Sequence, residues 1–171
     1  MKMVRSTVGI TDVTPLGKID IQGKDAAELL DRVYCNMFST LKVGRVRYGL
    51  MLREDGMVMD DGTSARFGDT HFVLTTTGGA AGEVFTHLEF CTQVLWPELD
   101  VQIFSVTDQW AQYSIAGPKA RDLVNALIDQ PIDNESFPYM ACGNITVAGG
   151  LRARPAACAR NGRCRGLRAS Q

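Results

Sequence analysis

Two adjacent carboxylates, Asp60 and Asp61, follow the apolar run Met57-Val58-Met59 and precede Gly62. Neighbouring side chains on a strand point to opposite faces, so only one of the two can enter a given pocket. A carboxylate against apolar walls can hold a cationic amine or take a proton from one. Adjacent Asp residues also occur in plain turns, where they cap backbone N–H groups. Spacing alone leaves both readings open. No metal is expected: further oxygen or nitrogen ligands are missing around the pair. His71 and His87 do not fall into a zinc-ligand spacing with any Cys.

Tyr48, in an apolar stretch, can stack on a planar ligand or fill the core. The run Thr75-Thr76-Thr77-Gly78-Gly79 looks like a ligand loop, but it lacks the Lys of a phosphate loop and the GxGxxG spacing. Thr77 therefore reads as a helix cap. No nucleophile elbow supports a hydrolytic triad, and His71 and His87 read as surface or packing residues. The five Cys form no CxxC pair. Cys35, Cys91 and Cys142 read as small buried hydrophobes.

The elements that must position these groups follow from periodicity. Lys18–Gln22 alternates apolar and polar, as a half-buried strand does. Asp25–Val33 carries Ala26, Leu29, Leu30 and Val33 on one helical face. Arg47–Leu52 and Met57–Met59 read as strands joined by the turn Arg53-Glu54-Asp55-Gly56, the second ending at the Asp pair. A strand over His71–Thr77 and a long helix over Ala80–Leu95 come next. Strands over Val101–Val106 and Ala111–Ala116, a helix over Lys119–Ile128, a loop at Pro131–Pro138 and a strand at Asn144–Val147 complete the reading. One echo runs through it: Ile21-Gln22-Gly23-Lys24-Asp25-Ala26 matches Ile115-Ala116-Gly117-Pro118-Lys119-Ala120, an offset of 94 residues. This is a duplicated strand–Gly–helix unit. It predicts an α+β fold, an antiparallel or mixed sheet with helices packed on it in a split βαβ arrangement.

The chain has 171 residues, 45% hydrophobic and 22% charged, which excludes a disordered or collagen-like protein. No apolar run approaches the ~20 residues of a membrane helix, and the N-terminus lacks the apolar centre of a secretory signal. A soluble, cytoplasmic protein is expected. The last 21 residues, Leu151–Gln171, hold six of the 18 basic residues and none of the 19 acidic ones. The remaining 12 basic residues leave the body acidic, which argues against a nucleic-acid binder using a basic arm.

Several of these segments resemble one family. Gly9-Ile-Thr-Asp-Val-Thr14, Lys18-Ile-Asp-Ile-Gln-Gly-Lys-Asp-Ala-Ala27, Arg47-Tyr-Gly-Leu-Met-Leu-Arg-Glu-Asp-Gly56 and Val58-Met-Asp-Asp-Gly62 are similar to the aminomethyltransferase (glycine-cleavage T-protein) folate-binding family. Val94-Leu-Trp-Pro-Glu-Leu-Asp-Val-Gln102, Ser105-Val-Thr-Asp-Gln-Trp-Ala-Gln112 and Ile115-Ala-Gly-Pro118 resemble the C-terminal region of the alpha subunit of heterotetrameric sarcosine oxidase. The resemblance implies a tetrahydrofolate-binding domain that captures the one-carbon unit of oxidised sarcosine as methylenetetrahydrofolate. It implies Asp60 and Asp61 as the catalytic carboxylates, Asp61 being the better candidate. Tyr48 and Leu50 match pocket walls near the pterin, Thr77 a polar contact to the ring, and Pro15 and Leu16 a loop against it. The flavin and NAD sites, and the other oxidase subunits, are implied elsewhere in a hetero-oligomer, so the isolated chain is expected not to oxidise sarcosine. A folate-binding or scaffold module without catalysis is the alternative. The resemblance runs to Arg154, giving a partial domain over residues 1–154. Residues 155–171 are expected to be a disordered, non-native tail, as an out-of-frame continuation would give.

Overall fold

The computed structural model describes residues 2–147, 151–154 and 165–170. The elements in chain order are α1 (Lys2–Ser6), β1 (Gly9–Asp12), β2 (Gly17–Gln22), α2 (Ala26–Val33), β3 (Arg45–Leu52), β4 (Val58–Gly68) and β5 (His71–Thr76). They continue with α3 (Ala81–Phe90), β6 (Gln102–Ser105), β7 (Trp110–Ala116), α4 (Ala120–Asn125), β8 (Ile145–Val147), β9 (Leu151–Ala153) and β10 (Arg165–Ser170). The chain divides into two compact units, Pro15–Thr107 and a second formed by Met1–Thr14 with Asp108–Gln171. Among the described residues no helix is long and apolar enough to cross a membrane.

The unit Pro15–Thr107 is a five-stranded sheet in the order β3-β4-β5-β2-β6, antiparallel at every pairing. Helix α2 buries the face its spacing predicts: Ala26, Leu29, Leu30 and Val33. These side chains pack with Ile19 and Ile21 of β2, Met51 of β3, Phe72 and Leu74 of β5, and Val84 and Leu88 of α3. Burying each large apolar side chain stabilises the fold by roughly 1.5–3 kcal/mol. Helix α3 is shorter than its apolar spacing suggests. It ends at Phe90 and passes through one π-helical turn, Cys91–Leu95, closed by the Trp96 N–H donating to the Cys91 carbonyl at 2.8 Å. Pro97 follows and has no N–H with which to prolong it.

The β3–β4 hairpin turns where the sequence places it. Gly56 adopts φ +81°, its N–H donates to the Arg53 carbonyl at 3.0 Å, and Asp55 Oδ1 accepts from the Met57 N–H at 2.9 Å. A Cβ on Gly56 would meet nothing within 4 Å. Gly56→Ala is therefore expected to cost only the left-handed backbone, about 1–2 kcal/mol, visible as a lower denaturation midpoint without altered structure.

One sequence expectation needs correcting. The strand does not end at Asp60–Asp61; β4 runs on to Gly68. Gly62 makes this possible, because a Cβ there would lie 1.8 Å from the Thr75 carbonyl oxygen. With only hydrogen at that position, β4 closes on β5, and their pairing begins one residue later at Thr63↔Thr75.

The other unit is also a five-stranded antiparallel sheet, in the order β1-β7-β10-β9-β8. Its core gathers Ile115, Ala120, Val124 and Ile128. Its topology repeats the first: a hub strand (β2 or β7) leads into a helix and then three strands, the last of which pairs with the hub. A strand from elsewhere in the chain (β6 or β1) covers the hub's other side. Of the expected tail, residues 155–164 and 171 lie outside the described residues. Arg165–Ser170 forms β10, between β7 and β9, where the composition break led us to expect no order.

Candidate functional site

The register of the first sheet decides which candidate side chains share a face. Met51 pairs with Asp60, and Leu50 pairs with Asp61. Met51 belongs to the core under the helices, so Asp60 points to that side and Asp61 to the other, as strand alternation demands. Asp60 is buried, 6% exposed, and its carboxylate oxygens accept the Thr77 N–H at 3.2 and 3.3 Å. It thus ties β4 to the end of β5. Burial, with the Asp60 charge adding to it, pushes the phenol of Tyr34 well above its ordinary range. Asp60 therefore works inside the fold.

Asp61 is exposed and accepts a hydrogen bond from the Tyr48 hydroxyl at Oδ2. That bond, ahead of slight burial and the charges of Asp61 and Asp60, raises the Tyr48 phenol. Tyr48 lies one pleat along β3 from Leu50 on the same face, opposite Thr63. Both are accessible, at 50% and 38% exposure, so a carboxylate is flanked by an aromatic ring and an aliphatic side chain open to a ligand.

Thr77, Leu16 and Pro15 extend the arrangement. Gly17 pairs with Thr76, so the same register carried one residue further sets Leu16 level with Thr77. The β4–β5 ladder starts at Thr63↔Thr75; extended two residues past that pair, its register would set Asp61 level with Thr77. Extending the ladders past their last pairs lines up the paired Leu50 and Asp61 with Thr77 and Leu16 in one row, from β3 and β4 to the end of β5 and the entry to β2. The Pro15 turn lies against Gly78, where a Cβ would come 2.5 Å from the Pro15 carbonyl oxygen. Thr77 is exposed and makes no side-chain cap; the Asp60 carboxylate takes the N–H in this junction. Its hydroxyl is not used for capping, contrary to the helix-cap reading.

The alternation that marked β2 as half-buried missed two features. Lys18 is fully buried, with Nζ donating to the carbonyls of Leu16 at 2.9 Å and Thr107 at 3.1 Å. Asp20 is also buried; its Oδ2 lies 3.0 Å from His71 Nε2, and its Oδ1 accepts from Gln22 Nε2 at 2.8 Å. The alternation reads the polar positions of that strand as its solvent side, and His71 reads as a surface or packing residue; the structure pairs it with the buried Asp20. Cys91 and Cys142 are buried as expected, whereas Cys35 is exposed. Burial raises the Cys91 thiol, which lies 3.6 Å from His87 Nε2. No group of three or more His, Cys, Asp or Glu arranged to hold a metal occurs among the described residues. Two clefts lie away from the row. One of about 500 Å³ is lined by Ile128, Phe137, Cys142 and Asn144, among others, and one of about 420 Å³ by residues including Leu52, Arg53, Met59 and His87.

The chain belongs to the family of the GCVT N-terminal domain, whose model matches residues 1–160. Within its relatives it is 54% identical over 147 residues to the sarcosine oxidase subunit alpha of Rhizobium meliloti strain 1021, a match covering 86% of this chain and 15% of that subunit. The sarcosine oxidase subunit alpha of Corynebacterium sp. strain U-96 is 45% identical over 154 residues, covering 90% of this chain and 16% of the subunit. An aminomethyltransferase of Staphylococcus haemolyticus strain JCSC1435 is 31% identical over 146 residues, covering 85% of this chain and 39% of that enzyme. The chain thus spans only a small part of the sarcosine oxidase subunits it matches. In fold it is similar to the glycine cleavage system aminomethyltransferase T of Bartonella henselae, with a TM-score of 0.79 and 20% identity over 99% of this chain and 43% of that one. It is also similar to a chain of the heterotetrameric sarcosine oxidase of Corynebacterium sp. U-96, with a TM-score of 0.64 and 11% identity over 100% of this chain and 80% of that one. The α+β fold class and the family resemblance read from the sequence are both borne out.

Proposed function

We propose that this chain is the tetrahydrofolate-binding domain of a sarcosine oxidase alpha-subunit-like protein, working in the cytoplasm. In that role it captures the one-carbon unit of oxidised sarcosine as methylenetetrahydrofolate. The observation that supports the reading is the Leu50↔Asp61 pair with the Tyr48 hydroxyl bonded to Asp61 on an accessible face of the sheet, where the extended ladders bring Thr77 and Leu16 alongside. A flat heterocycle needs an apolar surface with a few polar groups at its margin. Tyr48, Leu50, Leu16 and Pro15 offer the apolar part; Asp61 and Thr77 offer the polar part. The residues present fit the group.

Tetrahydrofolate, when bound, supplies the amine nitrogen that takes up the one-carbon unit. Asp61 holds that nitrogen in place and accepts its proton. Tyr48 engages one oxygen of the Asp61 carboxylate and leaves the other for the ligand. The fixed negative charge stabilises positive charge developing beside it, the usual source of electrostatic catalysis. Thr77 contributes a hydroxyl to the ring, and Pro15 and Leu16 close the wall. Flavin and NAD sites are assigned to other parts of the assembly, whose subunits are the protein partners of this domain.

Calorimetric titration of the chain with tetrahydrofolate tests the reading. One saturable site is expected, and no peroxide should form from sarcosine. A flat titration would leave the domain without its ligand, and peroxide formation would place the oxidase chemistry in this chain.

A further inference from the structure

Lys18 is the least expected side chain of the Pro15–Thr107 unit: an ammonium group with no solvent exposure. Taking such a charge out of water costs several kcal/mol, and an apolar side chain of similar volume would avoid that cost. The sheet itself does not need the ammonium. Strand β2 is already paired along its length with β5, and from Ile19 to Gln22 with β6. The Val106 N–H adds a bond to the Lys18 carbonyl at 2.9 Å, and the Lys18 N–H donates to Thr107 Oγ1 at 3.1 Å. What Nζ adds lies where those ladders stop. Among its acceptors are the carbonyl of Leu16, one residue before β2, and that of Thr107, two residues after β6. Both belong to the segments through which the chain enters and leaves this unit.

Leu16 is also the residue that the β2–β5 register, carried one residue past Gly17↔Thr76, sets level with Thr77, and Gly78 closes on the Pro15 carbonyl beside it. From this placement we propose that Lys18 is a positioning residue for the ligand site. Its buried ammonium ties the Leu16 and Thr107 carbonyls together and so fixes the Pro15–Leu16 turn as one wall beside Thr77 and Asp61. The role rests on the folate reading above and deepens it: Lys18 touches no ligand and acts through the backbone of Leu16. The turn is held from its other side by the close approach of Gly78 to the Pro15 carbonyl. Without the ammonium it keeps that contact and loses its tether to the Thr107 carbonyl.

The test uses the full chain, as wild type and as Lys18→Met, which keeps the stem and removes the donors. Amide exchange should accelerate at Leu16 and Gly17 and around Thr107, while amides of Leu29, Leu74 and Leu88 keep wild-type protection. Calorimetry should show the tetrahydrofolate Kd rising about tenfold. Wild-type Kd in the variant overturns the proposal while leaving the folate reading intact; a flat wild-type titration overturns the folate reading itself. If Lys18→Met does not fold, the wild-type chain labelled with ¹⁵N-lysine supplies the answer. The protected Lys18 ammonium signal should shift on saturation with tetrahydrofolate, and a signal that stays in place rejects the role.

Discussion

Asp61→Asn is expected to weaken tetrahydrofolate binding by about 10- to 100-fold, since a hydrogen bond to a charged group contributes roughly 1.5–3 kcal/mol. The same substitution should leave the unfolding midpoint almost unchanged. Asp61 is exposed and among the described residues its side chain bonds the Tyr48 hydroxyl, from which an amide oxygen can still accept. Surface changes of this kind usually stay within about 0.5 kcal/mol. Its neighbour should behave in the opposite sense. Asp60→Ala removes a buried acceptor and strands the Thr77 N–H, a loss of about 1–3 kcal/mol. Calorimetry with tetrahydrofolate and urea denaturation, run on both variants, separate the two effects. If Asp61→Asn binds as the wild type does, or if Asp60→Ala alone abolishes binding in a chain still folded, the roles given to the pair are wrong. The contrast has a simple origin. One residue of register separates them, and on a strand that puts them on opposite faces.

That alternation was legible from the sequence, and the structure places the two carboxylates on opposite faces of the sheet. Helix α2 was legible for a similar reason: four apolar residues at helical spacing had only one face to bury. The continuation of β4 to Gly68 was not, because Gly62 reads locally as a strand breaker. Its purpose, the close approach of β5, appears only once a distant carbonyl is in place. Lys18 and Asp20 were missed on the same ground. Alternation separates the two faces of a strand, but it does not tell whether the polar face meets water or other protein. In β2 both faces are buried, so the pattern marked the strand and misassigned the surroundings of its polar side chains. Local spacing likewise gave no sign that Asp60, and not Thr77, would serve the N–H at the start of the α3 segment. That partnership spans 17 residues and depends on the β4–β5 pairing.

Gly23→Ala and Gly117→Ala are each expected to remove a large part of the stability of the chain, and for the same reason. The two glycines are the matched positions of the sequence echo, and the structure gives them matched geometry. Gly23 has φ +142° and Gly117 φ +128°. Each is followed two residues later by an N–H donating to a carbonyl from a distant segment: Asp25 to Asp100 at 3.4 Å, and Lys119 to Thr7 at 3.0 Å. The carbonyl of each glycine accepts from the first residue of the next helix, Ala26 at 3.2 Å for Gly23 and Ala120 at 3.1 Å for Gly117, and both alanines are fully buried. A Cβ at Gly23 would lie 2.1 Å from the Asp100 oxygen, and one at Gly117 2.4 Å from the Thr7 oxygen. These contacts are with backbone atoms and not with the ends of flexible side chains, so neither can yield cheaply. Strained backbone contributes about 1–3 kcal/mol of destabilisation and overpacking a further 1–3 kcal/mol. Together they consume much of the 5–15 kcal/mol by which a domain of ordinary size is stable, here taken as a rough scale. Gly82→Ala is the control: it sits in α3 with open space around it, where alanine should add about 0.5–1 kcal/mol. Amide exchange assigns the damage, with protection falling at Ile19 and Leu74 for Gly23→Ala and at Ile115 and Val124 for Gly117→Ala. Wild-type stability in either variant would mean that the repeated hexapeptide is a coincidence of composition. Loss in both, each in its own unit, would mean that the duplicated topology is built on a duplicated turn.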